Sequence, residues 1–545
     1  MTKVTPLLLT ACFLAACVAF GGSVGCKRNV PPAQSEQRNA TVPSLRIYAI
    51  STLAGALEPC GCVKDMLGGI DHAAALMERS KKEAPNSLLL AAGPLWFLNP
   101  QLEPSREQQD RWKAESIADA LSQMKLAAWA PGANDFAAGS GELQQLKGRS
   151  GALALAGNLQ AFGQQLPQTK IIEAGGLKVG IAGVSDLADV HECKVTDAKG
   201  ALAEGYQALM AQKAEIKIAL IAAERGEALR WVEAQPGFDL AIIGKPMDKG
   251  DGNDPSIAPL LVNNTLVVQA PNHLQAVAIV DLFVDQSAGD SRGFKDGTGI
   301  DKAEEKDSLE RRIADLQRRI GEWATSKEIK PEDLAARKVD LERLRAKLAA
   351  LSVKSKPPEG SYFRYELRQI RDSLGRAPSV KQRISTYYKK VNDYNRESLK
   401  DRKPPEAEKG EPVYVGEEEC ANCHEEAEAF WLTTEHAGAY KTLADEFKEY
   451  NLDCVNCHVT GYEKPGGSTV TFVQDLKNVQ CEECHGPGSK HSKDPDAKGL
   501  IRLTPPRDLC SSCHHTPHVH EDWDVNEAWK HIIGKGHGDK VADAK

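Results

Sequence analysis

The stretch Cys420-Ala421-Asn422-Cys423-His424 is the first of four copies of one pattern. The others are Cys454-Val455-Asn456-Cys457-His458, Cys481-Glu482-Glu483-Cys484-His485 and Cys510-Ser511-Ser512-Cys513-His514. Two residues between the cysteines let both sulfurs add to the vinyl groups of one porphyrin, and the following imidazole turns under the iron. Cys-x-x-Cys-His is therefore the attachment signature of c-type haem. Paired Cys-x-x-Cys motifs also build zinc sites, but zinc does not require a His directly after the second Cys, and all four copies have one. Four haems over so short a stretch leave too little protein for separate apolar cores. The expectation is a mostly α-helical and irregular region, residues 412–545, with four covalent c-type haems as much of its core.

Working outward, the chain has 545 residues, a formal charge of −8 and 41% hydrophobic residues. This is room for two to four domains, with no basic excess to suggest nucleic-acid binding. Residues 1–26 read as an export signal, with Lys3 before an apolar run. Leu14-Ala15-Ala16-Cys17 resembles a lipoprotein cleavage site, and Cys26 begins the polar 27–43 tether. Either Cys17 or Cys26 is a candidate lipid anchor, and the expected location is the periplasm or a cell-surface membrane face. No other segment holds the roughly 18 consecutive apolar residues of a spanning helix.

Residues 44–285 alternate short apolar runs, such as Leu45–Ile50, Ser87–Ala92, Val179–Val184, Ile216–Ala222 and Leu240–Ile243, with helical periods at Ile70–Lys82, Arg106–Met124 and Gly200–Ala214. Such alternation predicts a layered α/β sandwich. The order of Ile50–Pro59, Gly68-Gly69-Ile70, Leu88–Gly93, Gly132–Phe136, Gly157-Asn158 and Phe238–Gly244 resembles the periplasmic 5′-nucleotidase group of calcineurin-like metallophosphoesterases. The resemblance implies two-metal phosphoester hydrolysis, yet the ligand positions have changed. Thr52 and Ala54 stand for Asp-x-His, Gly93-Pro94 for Gly-Asp, Gly132-Ala133-Asn134 for Gly-Asn-His and Gly244-Lys245-Pro246-Met247 for Gly-His-x-His; Ala223 or Glu224 falls where another His is expected. Only Asn158 keeps a ligand type. Alanine, proline and methionine cannot replace hard oxygen or nitrogen donors, so the expectation is an inactive scaffold. The alternative is hydrolysis with rearranged ligands, drawn from His72, Asp135, His191 or His273.

Cys60, Cys62 and Cys193 also lie in this domain, and a disulfide from Cys193 to one of the pair suits an oxidising compartment. Residues 301–353 form a charged helical hairpin by pattern. Leu309, Ile313, Leu316, Ile320 and Trp323 step at heptad spacing, Lys330-Pro331 restarts a helix, and Leu341, Leu344, Leu348 and Leu351 repeat the seam. It is read as an intramolecular spacer ahead of a dimerising coiled coil. Residues 361–397 then read as a strand and helix completing the α/β domain, and 398–411 as a linker.

Of the 14 histidines, His72, His191 and His273 precede residue 412, which leaves 11 in the C-terminal region. His424, His458, His485 and His514 are proximal ligands by motif. Phe430-Trp431…Glu435-His436-Ala437 and Cys484-His485-Gly486-Pro487-Gly488-Ser489-Lys490-His491 resemble the tetrahaem cytochrome c family whose best-known member takes electrons from hydroxylamine oxidoreductase. The resemblance implies distal ligands at His436 and His491. His537 is a third candidate, and His515, His518, His520 and His531 are not separable for the fourth. All six methionines lie outside 412–545; a Met axial ligand raises the potential, so low-potential haems are expected. The leading reading is electron transfer with redox partner proteins. The alternatives are a phosphoesterase with a fused haem region, and a reductase of a small nitrogen or oxygen species at an open iron.

Overall fold

The computed structural model describes residues 42–59, 66–187, 190, 193–247, 252–285, 293–300, 303–325, 330–351, 358–515, 518–519 and 523–537. Cys17, Cys26, Cys60, Cys62, His191 and His520 lie outside the described residues, and with them both lipid-anchor candidates and the disulfide pairing. Among the described residues no helix is long and apolar enough to cross a membrane.

The strands are β1 (Leu45–Ser51), β2 (Ser87–Ala92), β3 (Leu126–Ala130), β4 (Leu153–Ala154), β5 (Leu159–Ala161), β6 (Gln164–Gln165), β7 (Thr169–Ala174) and β8 (Leu177–Ser185). They continue with β9 (Cys193–Val195), β10 (Ile216–Ala222), β11 (Leu240–Gly244), β12 (Leu260–Val262), β13 (Thr265–Val268), β14 (Ala276–Phe283), β15 (Lys295–Asp296) and β16 (Tyr362–Gln369). One sheet has the order β15-β16-β14-β1-β2-β3-β4, a second β12-β13-β11-β10-β8-β7, and a small third sheet β6-β5-β9. In the first, β1 to β4 run parallel, while β14 is antiparallel to both β1 and β16.

Side-chain alternation along a strand decides the layering. Leu45, Ile47 and Ala49 of β1 meet Ile216, Ile218 and Leu220 of β10 and Leu240 and Ile242 of β11 in the core between the two large sheets. Tyr48 and Ile50 point the other way, into a core with α1 (Ile70–Ser80), α2 (Glu107–Gln123) and α3 (Gly139–Ser150). Ala219, Ile221, Ala241 and Ile243 pack outward under α4 (Ala198–Ala211) and α5 (Arg225–Ala234). The result is a helix–sheet–sheet–helix sandwich, in which each fully buried Leu or Ile contributes about 1.5–3 kcal/mol. On the outer face of β1, Arg46 is opposite Asp281 of β14 and bonds it at 2.6 and 2.7 Å.

No apolar run of the sequence reading marks β3. Its Leu-Ala-Ala-Trp-Ala composition has little strand preference. Parallel pairing with β2 and β4 makes it a strand.

After β15 come α6 (Ala303–Thr325) and α7 (Pro331–Leu351), which pack on one another. Lys347 near the end of α7 reaches Glu305 near the start of α6 at 2.6 Å, so the pair is antiparallel and closes its seam within one chain. The chain then returns through β16, paired to β14 from Phe283↔Tyr362 to Ala276↔Gln369. It continues into α8 (Pro378–Ser398), whose Val380, Ile384, Tyr387 and Val391 finish the core with α1 and α2.

Residues 399–537 have a different build. Their helices are short: α9 (Glu417–Ala421), α10 (Glu425–Trp431), α11 (Ala439–Ala444), α12 (Cys481–His485) and α13 (Val525–Trp529). Among the described residues their apolar cluster consists of Tyr440, Val455, Val459, Val470 and Val473, with a few half-buried neighbours. The chain from 398 to 411 is bonded into this region: Thr471 donates to Leu399 O, Thr469 to Arg402 O and Gly466 N to Pro405 O. Val42–Lys545 forms one compact unit.

Candidate haem site and the strand-end site

At the C-terminal ends of the sandwich strands, where ligands of open α/β sheets collect, the two sheets touch. A Cβ on Gly244 at the end of β11 would lie 1.9 Å from Ala92 O of β2, and one on Gly93 would lie 2.8 Å from Thr52 Oγ1. Thr52, at φ 48, donates to Lys245 O at 2.9 Å, and Lys245 Nζ pairs with Asp254 at 2.6 Å. Backbone contact, a hydroxyl and a Lys–Asp ion pair occupy this edge.

The remaining polar candidates are used in the fold. Asp135 accepts from Leu95 N, Trp96 N, Gly132 N and Trp129 Nε1, and Asn134 donates to Phe97 O and Leu98 O. Burial pushes the Asp135 carboxyl up to about 6, although these four donors favour its charged form. Asn158 bonds Ser185 through both its N–H and its oxygen, and also Thr196 O. His72, on α1, faces Gly375 O at 2.6 Å and Asp372 at 3.1 Å, while His273 Nδ1 lies 3.3 Å from Asn253. His72, Asp135 and His273 thus serve three separate local networks. Among the described residues no group of three or more His, Cys, Asp or Glu could hold a metal ion.

In the C-terminal region the four motifs come together. The Cys420 and Cys481 thiols are within hydrogen-bonding reach of one another, and so are Cys457 and Cys513. Two imidazole pairs form between distant parts of the sequence. His424 and His491 have ring centres 6.2 Å apart with planes within 23°, and His436 and His514 lie 6.0 Å apart. Metal–nitrogen bonds of about 2 Å on either side, plus about 1 Å from each nitrogen to its ring centre, give about 6 Å for two imidazoles sharing one metal. His537 lies close enough to His485 to act on its charge. The turn carrying His537 presses on α10 at Gly534 and Gly536, where a Cβ would meet Phe430 at 2.2 Å and Ala427 N at 2.4 Å. His515 and His518 stand 4.7 Å from each other, and His531 is exposed at the end of α13.

Two of the four motif imidazoles are oriented from behind. His458 Nδ1 faces Ala439 O and His485 Nδ1 faces Arg502 O, both at 2.6 Å, which leaves Nε2 for a metal. Burial, with His514 and His458 nearby, holds His436 below the usual imidazole range. Burial does the same for His485 against its bond to Arg502 O. A neutral ring is the form that ligates. These residues therefore fit covalently attached haem.

Glu482 and Glu483, the variable pair of the third motif, carry structural work that sequence reasoning passed over. Glu482 is 1% exposed and accepts from Val415 N, Gly416 N and Gly488 N, bolting the approach to the first motif to the turn that carries His491. Glu483 accepts from Gly461 N, just beyond the second motif. Two acidic residues inside an otherwise tolerant gap were the only available signal. Trp431 Nε1 donates to Val479 O, and Val479 N to His436 O, tying the His436 helix to the third motif.

Residues 419–486 match the family model for cytochrome c554 and c-prime, a span holding the first three motifs. A curated relative, cytochrome c-554 of Nitrosomonas europaea, is 31% identical over 134 residues, covering 18% of this chain and 57% of the relative's length. Solved structures similar to the chain include a 5′-nucleotidase precursor from Thermus thermophilus, with 15% identity over 79% of this chain and 73% of that one and a TM-score of 0.42. Another is a calcineurin-like phosphoesterase from Bacillus subtilis, with 18% identity over 45% of this chain and 86% of that one and a TM-score of 0.37. The layered α/β architecture itself follows from the strand order and register. The C-terminal region, with its Cys-x-x-Cys-His motifs and facing imidazoles, carries a cytochrome c554-type domain that binds c-type haem covalently.

Proposed function

We propose that this chain is an exported, lipid-anchored electron carrier with four covalent c-type haems, mounted on an α/β domain that no longer hydrolyses phosphoesters. The facing of His491 to His424 and of His436 to His514 is the observation that carries the reading. Each pair joins a motif imidazole to one far away in sequence at a separation that suits a shared metal. In this reading His424, His458, His485 and His514 would hold the irons as the histidines of their motifs, and His491, His436 and His537 would offer a second imidazole to the irons held by His424, His514 and His485. Bound haem supplies a one-electron iron couple. The chain's own part is to hold the rings and to fix the tautomers of His458 and His485 through Ala439 O and Arg502 O. With histidine and no methionine on hand in this region, the potentials are low.

The contact of Gly93 with Gly244 and the Lys245–Asp254 pair favour an inactive strand-end site. A pyridine haemochrome assay tests the central claim, with four haems expected per chain; fewer than four overturns it. Hydrolysis assays with nucleotides and bis-aryl phosphates plus Mn²⁺ should show no metal-dependent turnover. Mass spectrometry of the N-terminal peptide should find a lipidated Cys17 or Cys26, and a cleaved chain without lipid would remove the anchor.

A further inference from the structure

One haem motif is held by the α/β domain itself. Residues 447–454, leading into Cys454, lie in a cleft between α2 and α8. Along α2, Arg106, Gln109, Asp110 and Lys113 form one stripe at helical spacing, and on an exposed helix they would be a solvated face. Here Gln109 is 2% exposed and Asn451 1%. Asp453 accepts from Arg106, and from Lys113 at 2.9 Å. Gln109 donates to Asn451 and accepts from Leu452 N and Asn395.

From α8, Asn395 donates to Tyr450 O, while Asn392 bonds Tyr450 N and Glu449. Lys448 reaches Glu58 at 2.8 Å across the ring of Tyr388. Asn451 is the hub: its carbonyl accepts from Cys454 N and Val455 N, the first residues of the second motif, while its side chain bonds Asp453 N and Gln109.

We propose that this cleft positions the second haem motif and sets the potential of its haem through the balance of Arg106 and Lys113 against Asp453. These charges are partly buried, and partly buried charges are screened less than surface ones, so a change of one charge beside one haem is felt there more than at the others. The three residues are positioning residues. The inference rests on the haem reading above.

The test uses the full-length haem-loaded chain and a potentiometric titration resolved into its separate steps by optical and EPR signals. Lys113→Met removes a cation and should move one step to lower potential. Asp453→Asn removes an anion and should move the same step higher. Lys113→Arg should leave it in place. Loss of haem from the Cys454–His458 peptide alone, found by peptide mapping, also supports the proposal. Steps that all move together, different steps for the two variants, or no movement at an unchanged haem count would overturn it. If either variant gives no folded chain, Arg106→Gln is judged by the same rule, with a downward shift of the same single step expected. A count below four in the unsubstituted chain refutes the haem reading, whereas four haems with unresponsive steps refutes only this inference.

Discussion

The α/β domain and the C-terminal region reach order by different routes. The first buries whole strand faces, Ile47 and Ile218 among them, between two sheets and under helices on both sides. The second has Tyr440, Val455, Val459, Val470 and Val473 as its apolar cluster among the described residues. It relies on polar bolts such as Glu482 and Asn451, and on its docking to α2 and α8. The contrast teaches that a region built around covalent cofactors needs few apolar side chains of its own, just as a small domain without a core leans on disulfides or metals.

The most severe way to break this contrast is to block haem attachment. Limited proteolysis of such a chain should digest residues beyond about 411 while the sandwich survives; equal resistance of both parts would erase the distinction. Next in size, Ile218→Ala in the inter-sheet core should cost about 2–5 kcal/mol, read by denaturant unfolding of the α/β domain, with the haem spectrum unchanged. Val470→Ala should cost only about 1–2 kcal/mol, from two methylene-sized groups at about 0.8 kcal/mol each.

His491→Ala should convert one low-spin iron to high spin in the EPR spectrum and leave the others as they are. A uniformly low-spin spectrum would remove His491 from the ligand set.

The smallest effect concerns pH. Burial alone would raise the Asp453 carboxyl, but Lys113 and Arg106 outweigh it and hold it well below the usual carboxylate range. A folded-state pKa below the unfolded one means that the unfolded chain binds the extra proton. The pair therefore stabilises docking above the unfolded value of about 3.9 and loses that contribution as pH falls below it. Lys113 is raised against burial by Asp453 and Asp110, so its contribution is present below its unfolded value of about 10.4 and is lost only in stronger alkali. Acid unfolding followed by haem absorbance should show a step that Asp453→Asn removes; an unchanged acid profile would deny the carboxylate this role.

Much of the fold was legible because burial writes periodicity into sequence. β1, β2, β8, β10 and β11 carry continuous apolar runs. β3 was not legible, because three of its five residues are alanines whose strand state comes from their neighbours. The residue types at Thr52, Pro94 and Lys245 were readable in the sequence. The closure of the sheets at Gly93 and Gly244 is a tertiary contact that no local pattern marks.

The sequence by itself determined the haem attachment motifs, because two thiols and an imidazole on one macrocycle demand a fixed local spacing. It also determined the alternating α/β order and the hairpin's heptad seam. Only the tertiary structure decided which imidazoles face one another: His424 and His491 are separated by 67 positions, as 491 minus 424 shows, and His436 and His514 by 78, so no local rule links them. Only it, too, turned the charged stripe of α2 into a partly buried clamp on Asp453. A charge pattern along a helix is the same whether it faces water or another part of the chain, and desolvation is a property of the packed molecule.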